Sequence, residues 1–436
     1  MDDFSYTRLG DYIGTLGSYD EILAIVLCPL LGALSDKIGP KYISIFGVFI
    51  MGISFFLYTT AKNVYPDLLF FRLLFAIGAS ASASMMTALL AEISSSGFKL
   101  ESFFNLKTIN YTSINESDLE SDYILKIKPN GKLTSVIGIS SGLGAIFAVS
   151  VYLPLPIKFE KRGESSLEAL IHSYFIVGIV ALFTSLILAF TLYSKKTSKL
   201  SIDSNLISSN EIIDSEKNYI ELLKLGFQEG IKDHRISLAY LGAFVARSMT
   251  VANTVFIPLW IYNYFLETGK CSIPQNGSSD LIKDSCRDAY INAAILVGII
   301  NTIALIMAPL IGVLTDRLGN KKSIKLVSFL GSIGSIGFAL IEDPTRPLTF
   351  FFGIFIGTAQ IGLIITSMSL ATDKDRRYNG AISGVYGLFG GLGILIISKL
   401  GGYLSDFWQG SVFFILGLFN VVLLGFSHLV DAETQK

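Results

Sequence analysis

Apolar residues along the chain gather into eleven runs bounded by charged or polar clusters, at 16–36, 42–61, 67–93, 132–155, 168–194, 236–264, 288–315, 323–342, 347–371, 380–402 and 410–430. Each is close to the ~20 residues an α-helix needs to cross a ~30 Å hydrocarbon layer at 1.5 Å per residue. The runs lack the alternation of a barrel strand and are about twice a barrel strand's length. The pattern predicts an all-α, polytopic membrane protein with about eleven transmembrane helices.

Two polar stretches interrupt the series. Residues 94–131 are rich in serine and asparagine, and residues 195–235 divide the runs into groups of five and six. This organisation predicts an N-terminal bundle over 1–194, a linker over 195–235 and a six-helix C-terminal bundle over 236–436. Within the linker, Tyr219, Leu222, Leu223 and Phe227 recur near helical spacing, with Glu221, Lys224 and Gln228 between them. That spacing predicts a short helix, either solvated or lying on the membrane surface. Sorting lysines and arginines by alternate loops puts 9 on the face with the N-terminus and 22 on the other. The positive-inside rule makes the second face cytoplasmic, with the C-terminus inside and the N-terminus outside.

Composition narrows the function classes. The chain is 51% apolar and only 16% charged, with a net charge of -1, against the roughly 25% charged of soluble domains. A soluble enzyme is disfavoured, and no basic excess of the kind nucleic-acid binding needs is present. Three cysteines and three histidines are too scattered for a metal site, and no catalytic constellation or cofactor motif stands out.

The strongest sequence feature is an internal repeat. Residues 28–41, CPLLGALSDKIGPK, and residues 308–321, APLIGVLTDRLGNK, match nearly position for position. The shared pattern G-x-L-x-D-[KR]-x-G-x-K, occurring twice across a central linker, resembles the signature loop of the major facilitator superfamily. Arg72-Leu-Leu-Phe-Ala-Ile-Gly78 with Ser80, Ser82 and Ser84 is similar to that family's fourth-helix pattern. The resemblance covers essentially the whole chain and implies two helical bundles rocking around a central cavity, lined mainly by the family's helices 1, 4, 7 and 10. The residues themselves suit a gate. Gly32 and Gly312 allow close helix approach, Asp36 and Asp316 can face a helix N-terminus or a basic side chain, and Gly39 and Gly319 suit the turn. Lys37, Lys41, Arg317 and Lys321 hold the loops inside. Asp36 is expected to pack against the start of the span near 380 and Asp316 against the start of the span near 132, with Arg376, Arg377 and Lys132 as nearby bases. The family's sugar-porter and drug-antiporter motifs are missing.

In the family the signature loop follows the second helix. Asp36 has only 35 residues ahead of it, and the first fifteen, with Asp2, Asp3, Arg8 and Asp11, are too polar to cross a bilayer. The expectation is a first bundle lacking the family's first helix, with an open position where the counterpart of the 236–264 span belongs.

Ionisable and amide side chains within spans are costly in hydrocarbon and mark candidate sites. Arg247 falls near the middle of its span and must find an anion or water, because a guanidinium does not lose its proton. Arg72, Glu21, Asn253, Asn301 and Gln360 complete the set of substrate-binding or coupling candidates, with Glu21 able to carry a coupling proton and the three amides able either to hydrogen-bond a solute or to bridge helices. Lys399, His172, Trp260 and Trp408 fall near outer span ends, as interfacial anchors do.

The outer loop at 265–287 holds Cys271 and Cys286, suggesting a disulfide, and the sequon Asn276-Gly-Ser, a glycosylation acceptor. The sequons at Asn110 and Asn115 are cytoplasmic in this topology. The reading is a monomer in a lipid bilayer, in a plasma or vacuolar-type membrane, moving a small polar or anionic solute by alternating access with proton coupling. The alternative is a non-transporting, transporter-like protein or an incomplete gene product.

Overall fold

The computed structural model describes residues 9–95, 131–152, 154–192, 218–271, 286–372, 378–405 and 407–434. Among them every regular element is a helix. The first half contains α1 (Leu9–Ile38), α2 (Pro40–Tyr58), α3 (Leu69–Ser95), α4 (Gly131–Phe147), the short α5 (Leu155–Glu160) and α6 (Ser166–Thr191). A linker helix, α7 (Tyr219–Lys232), precedes α8 (His234–Val251), α9 (Ile257–Glu267), α10 (Arg287–Leu318), α11 (Asn320–Ala339), α12 (Pro347–Ala371), α13 (Asn379–Ser405) and α14 (Ser411–Thr434). A π-helical turn, Ala252–Phe256, joins α8 to α9, so that His234–Glu267 forms one crossing.

Nine stretches among the described residues have the length and apolarity to cross a membrane. Of the eleven expected spans, α1 and α11 are not among them; α11 carries Lys321, Lys322 and Lys325 along with Ser323, Ser328, Ser332 and Ser335. It packs one face against α12 and α14, with Leu326, Phe329 and Ile333 exposed on the other. Its serines and glycines are buried at those contacts, where small side chains let helix backbones approach.

The repeat in sequence is a repeat in space. α1 and α10 both contain a proline at the matching position, Pro29 and Pro309, and both end one residue before a glycine, Gly39 and Gly319, with φ of 95° and 83°. That backbone region suits glycine, since a Cβ there is strained. α2, α3 and α6 pack together as α11, α12 and α14 do, and α1 against α13 mirrors α10 against α4. These last two pairings join the halves.

The halves differ in one position. α8 packs against α12, α13 and α14, whereas among the described residues no helix stands in the corresponding place against α3, α4 and α6. The consequence shows in burial. Only 6% of the most apolar window of the α4 crossing and 11% of that of α6 are covered, against 61% and 44% for their counterparts α13 and α14.

α7 is the helix that the spacing predicts; one face docks on α1, α8 and α13, while Ile220, Phe227 and Ile231 stay exposed on the other. Its Leu222, Gly226 and Gly230 are buried, an i, i+4, i+8 stripe that helical geometry puts on one face. Trp260, expected at the interface, is instead buried between Phe338 and Phe413, with ring centroids 5.6 and 5.8 Å away. Phe338 of α11 and Phe413 of α14 flank it, so an aromatic near the span end meets protein rather than lipid headgroups.

Candidate functional site: a central cavity and its inner gate

The end of the bundle carrying the two repeat loops is the inner end; the opposite end is the outer one. At the inner end the halves meet twice, each time through glycine. A Cβ on Gly32 would lie 2.5 Å from the Gly380 carbonyl oxygen and 2.6 Å from the Gly384 Cα. A Cβ on Gly312 would lie 2.5 Å from the Ser135 Cβ and 2.8 Å from the Gly131 carbonyl oxygen. Real Cβ atoms do not approach this closely, so α1 and α13, and α10 and α4, touch there because they lack side chains. Farther out the same helices part. Gly17 and Gly402, near the outer ends of α1 and α13, and Gly144 and Gly298, on α4 and α10, have nothing within 4 Å of a Cβ position. The interface closes at the inner end and diverges outward.

Two carboxylates fasten the closed end. Asp36 accepts the Gly380 amide on one oxygen at 2.7 Å and the Ala381 amide on the other at 2.8 Å. Asp316 accepts the Gly131 amide at 2.7 Å and the Lys132 amide at 3.1 Å. Both acceptors sit at the first turn of the facing helix, where unpaired amides and the helix dipole favour an anion. The anticipated contacts with the starts of the facing helices are thus made, with backbone amides as donors. Arg376 and Arg377 lie outside the described residues. Arg317 is exposed.

Above this closure lies a cavity of about 290 Å³ bordered by both halves. α1 contributes Asp20, Glu21 and Cys28, α3 contributes Ser80, Ser84 and Thr87, α8 contributes Arg247, and α13 contributes Tyr386 and Gly390. The Ser80 and Ser84 hydroxyls donate to carbonyls of their own helix, those of Ala76 and Ser80, at 2.6 and 2.7 Å. Tyr386 and Ser367 share a hydrogen bond of 2.9 Å. Arg247 has none of these satisfactions. Among the described residues it makes no hydrogen bond and no ion pair, although the Glu21 charge acts on it across the cavity. Its stem lies over Gly390, where a Cβ would come within 3.0 Å of the Arg247 Cγ.

The structure sorts the sequence candidates. Arg247 and Glu21 share the cavity. Arg72 does not line it; its guanidinium is held by Asp20, with Nε and Nη2 donating to Oδ2 at 3.0 and 2.5 Å. Asn253 and Gln360 are buried against each other, the Asn253 amide donating to the Gln360 oxygen at 2.6 Å, so they bridge the π-helical turn that follows α8 to α12 instead of facing a solute. Asn301 is exposed on α10 and belongs to neither cavity nor bridge. Lys399 is exposed, and His172 accepts or donates at 2.8 Å to Glu164 near the outer surface. Cys271 and Cys286 form a disulfide, while Asn276, Asn110 and Asn115 lie outside the described residues.

Sequence reading missed Tyr386, Gly390 and Cys28. The repeated glycines of α13, Gly384, Gly387, Gly390, Gly391 and Gly393, were the available signal, since small residues recurring every three or four positions mark a helix that something approaches closely.

Comparison with known proteins agrees with this architecture. A family model described as Major Facilitator Superfamily matches residues 3–99 and 128–398. The magnetosome protein MamH of Paramagnetospirillum magneticum is 24% identical over 204 residues, covering 46% of this chain and 44% of MamH. The class H tetracycline resistance protein of Pasteurella multocida is 33% identical over 147 residues, covering 33% of this chain and 35% of that protein. The matched portion thus spans less than half the length of these curated relatives. Among solved structures, the transporter FucP in its outward conformation aligns with a TM-score of 0.63 at 13% identity, covering 99% of this chain and 91% of FucP. That likeness is one of fold.

Proposed function

The chain belongs to the major facilitator superfamily, and from that premise we propose that it moves a small polar or anionic solute across its membrane by alternating access, with Glu21 as the proton-coupling carboxylate. It is an integral, multi-pass membrane protein. The observation that carries the proposal is Arg247, a permanent cation lining the cavity between the halves without a hydrogen bond or ion pair among the described residues. A guanidinium in such a place is costly unless an anion or water meets it. A carboxylate, sulfonate or phosphate on the solute would meet its planar fork in bidentate fashion. Glu21 faces the same space, so protonating it would strengthen the cavity's pull on an anion and ionising it would weaken that pull. This is the coupling a symport of proton and anion needs.

Untargeted uptake profiling with the full chain in proteoliposomes, under an imposed pH gradient, tests the reading. The expected result is accumulation of an anionic solute that collapses with the gradient, and its loss in a well-folded Arg247→Lys variant, which keeps the charge but not the fork. Uptake of neutral solutes alone, or Arg247→Lys uptake equal to that of the parent, would remove Arg247 from the site.

A second reading, a transporter-like protein that does not itself transport, is favoured by the uncovered faces of α4 and α6. A cavity open to lipid on one side would exchange solute continuously, which alternating access forbids. Proteoliposomes that bind a solute but never accumulate it would favour this reading.

A further inference from the structure

The linker helix α7 touches both halves at the place where they close. Its second half is tied to the C-terminal bundle. The Tyr240 hydroxyl of α8 donates to the Gly226 carbonyl at 2.8 Å, the Ser237 hydroxyl donates to the Gly230 carbonyl, and the Tyr240 ring lies against Gly230. Gly226 also presses on α13, where a Cβ would lie 2.6 Å from the Ala381 carbonyl oxygen. At its other end α7 reaches the N-terminal bundle, where the Tyr219 hydroxyl donates to the Leu30 carbonyl of α1 at 2.6 Å. Lys37 of α1 stands over the Tyr219 ring, 6.0 Å from its centroid.

Ala381 shows how close the two devices are. Its amide is held by Asp36 of α1 while its carbonyl faces Gly226 of α7. Any motion that parts α1 from α13 at the inner end must carry Leu30 away from Tyr219, because the other contacts fix α7 to α8 and α13. Burial pushes the Tyr219 hydroxyl above its ordinary range, which favours its protonated, donating form.

We propose that α7 is a latch on the inner gate, hinged on α8 and α13 through Gly226 and Gly230 and caught on α1 by the Tyr219 hydroxyl at the Leu30 carbonyl. The latch adds to the Asp36 and Asp316 clasps and makes the polar linker part of the gate rather than a tether. It rests on the alternating-access reading, since a latch has meaning only where the inner end opens.

The test measures distance, so no solute is needed. Ile38 and Leu318, exposed at the inner ends of α1 and α10, are changed to cysteine, spin-labelled and measured in lipid nanodiscs by pulsed electron resonance, in the full chain. Tyr219→Phe keeps the ring and loses one hydrogen bond, so the inner-open population is expected to rise about two- to tenfold. Gly226→Leu, which pries α7 off α13, is expected to shift it the same way, and Asp36→Asn serves as the opening control. If Asp36→Asn lengthens the distance while Tyr219→Phe and Gly226→Leu match the parent, the latch is overturned and the gate stands. Distances unchanged in all three variants would overturn the gate along with the latch.

Discussion

Asp36 and Gly380, 344 positions apart in sequence, are joined by a hydrogen bond of 2.7 Å across the boundary between the two halves. The same carboxylate takes the next amide as well, so a single side chain satisfies two donors at the first turn of α13. Asn at this position would keep one acceptor but aim an amide at a second amide and lose the charge that the helix terminus favours. Asp36→Asn is expected to weaken the inner closure by about 1–3 kcal/mol, which changes the open-to-closed ratio roughly five- to 150-fold. Cysteine accessibility at the inner ends of α1 and α13, probed from the cytoplasmic side, checks this; unchanged labelling would refute it.

The close approach of α1 and α13 makes a steric prediction. Gly384 admits no Cβ, since one would lie 2.5 Å from the Cys28 carbonyl oxygen and 2.9 Å from the Pro29 Cα. These are backbone atoms that cannot swing aside. Gly384→Ala should destabilise the inner-closed form by roughly 1–3 kcal/mol, the usual cost of overpacking, whereas Gly402→Ala, at the open outer end of the same helix, should leave it unaltered. Thermal unfolding of the two variants in detergent separates them, and equal midpoints would mean that the helices do not meet as described.

Asn253 and Gln360 provide a paired test. Each single leucine substitution strands a buried polar partner and is expected to cost about 1–3 kcal/mol, while the double substitution is expected to be close to neutral. A double-mutant cycle with no coupling energy would show that the pair does not bridge the π-helical turn after α8 to α12. Solute uptake should survive the double variant, because neither side chain lines the cavity.

The outer loop offers a test of orientation. Cys271 and Cys286 are bonded 15 positions apart, a closure worth on the order of 3 kcal/mol from chain entropy. Cys286→Ser should therefore lower thermal stability, and dithiothreitol should have the same effect on the parent. In a eukaryotic host, glycan mapping should find sugar on Asn276 and none on Asn110 or Asn115; sugar on Asn110 alone would invert the topology.

The spans and the repeat were legible because both are written in composition. Crossing a bilayer demands long apolar runs wherever they occur in the chain, and the Gly32 and Gly312 loops are recognisable because the same steric and charge requirements are met twice. Asp36 and Asp316 could be assigned to the starts of the facing helices for the same reason, since an acid beside a helix N-terminus is a local preference. Whether a helix terminus or a basic side chain would meet them stayed open, because backbone amides have no letter in the sequence. Asn253, Gln360 and Arg247 look alike as polar residues in apolar runs; only packing decided that the first two satisfy each other while Arg247 faces a cavity. Trp260 near a span end and Tyr219 in a polar linker likewise took their roles from what lies across from them. Hydrophobic periodicity specifies which face of a helix turns from water or lipid, but the identity of the neighbour on that face depends on how helices distant in sequence pack, and that is settled only in three dimensions.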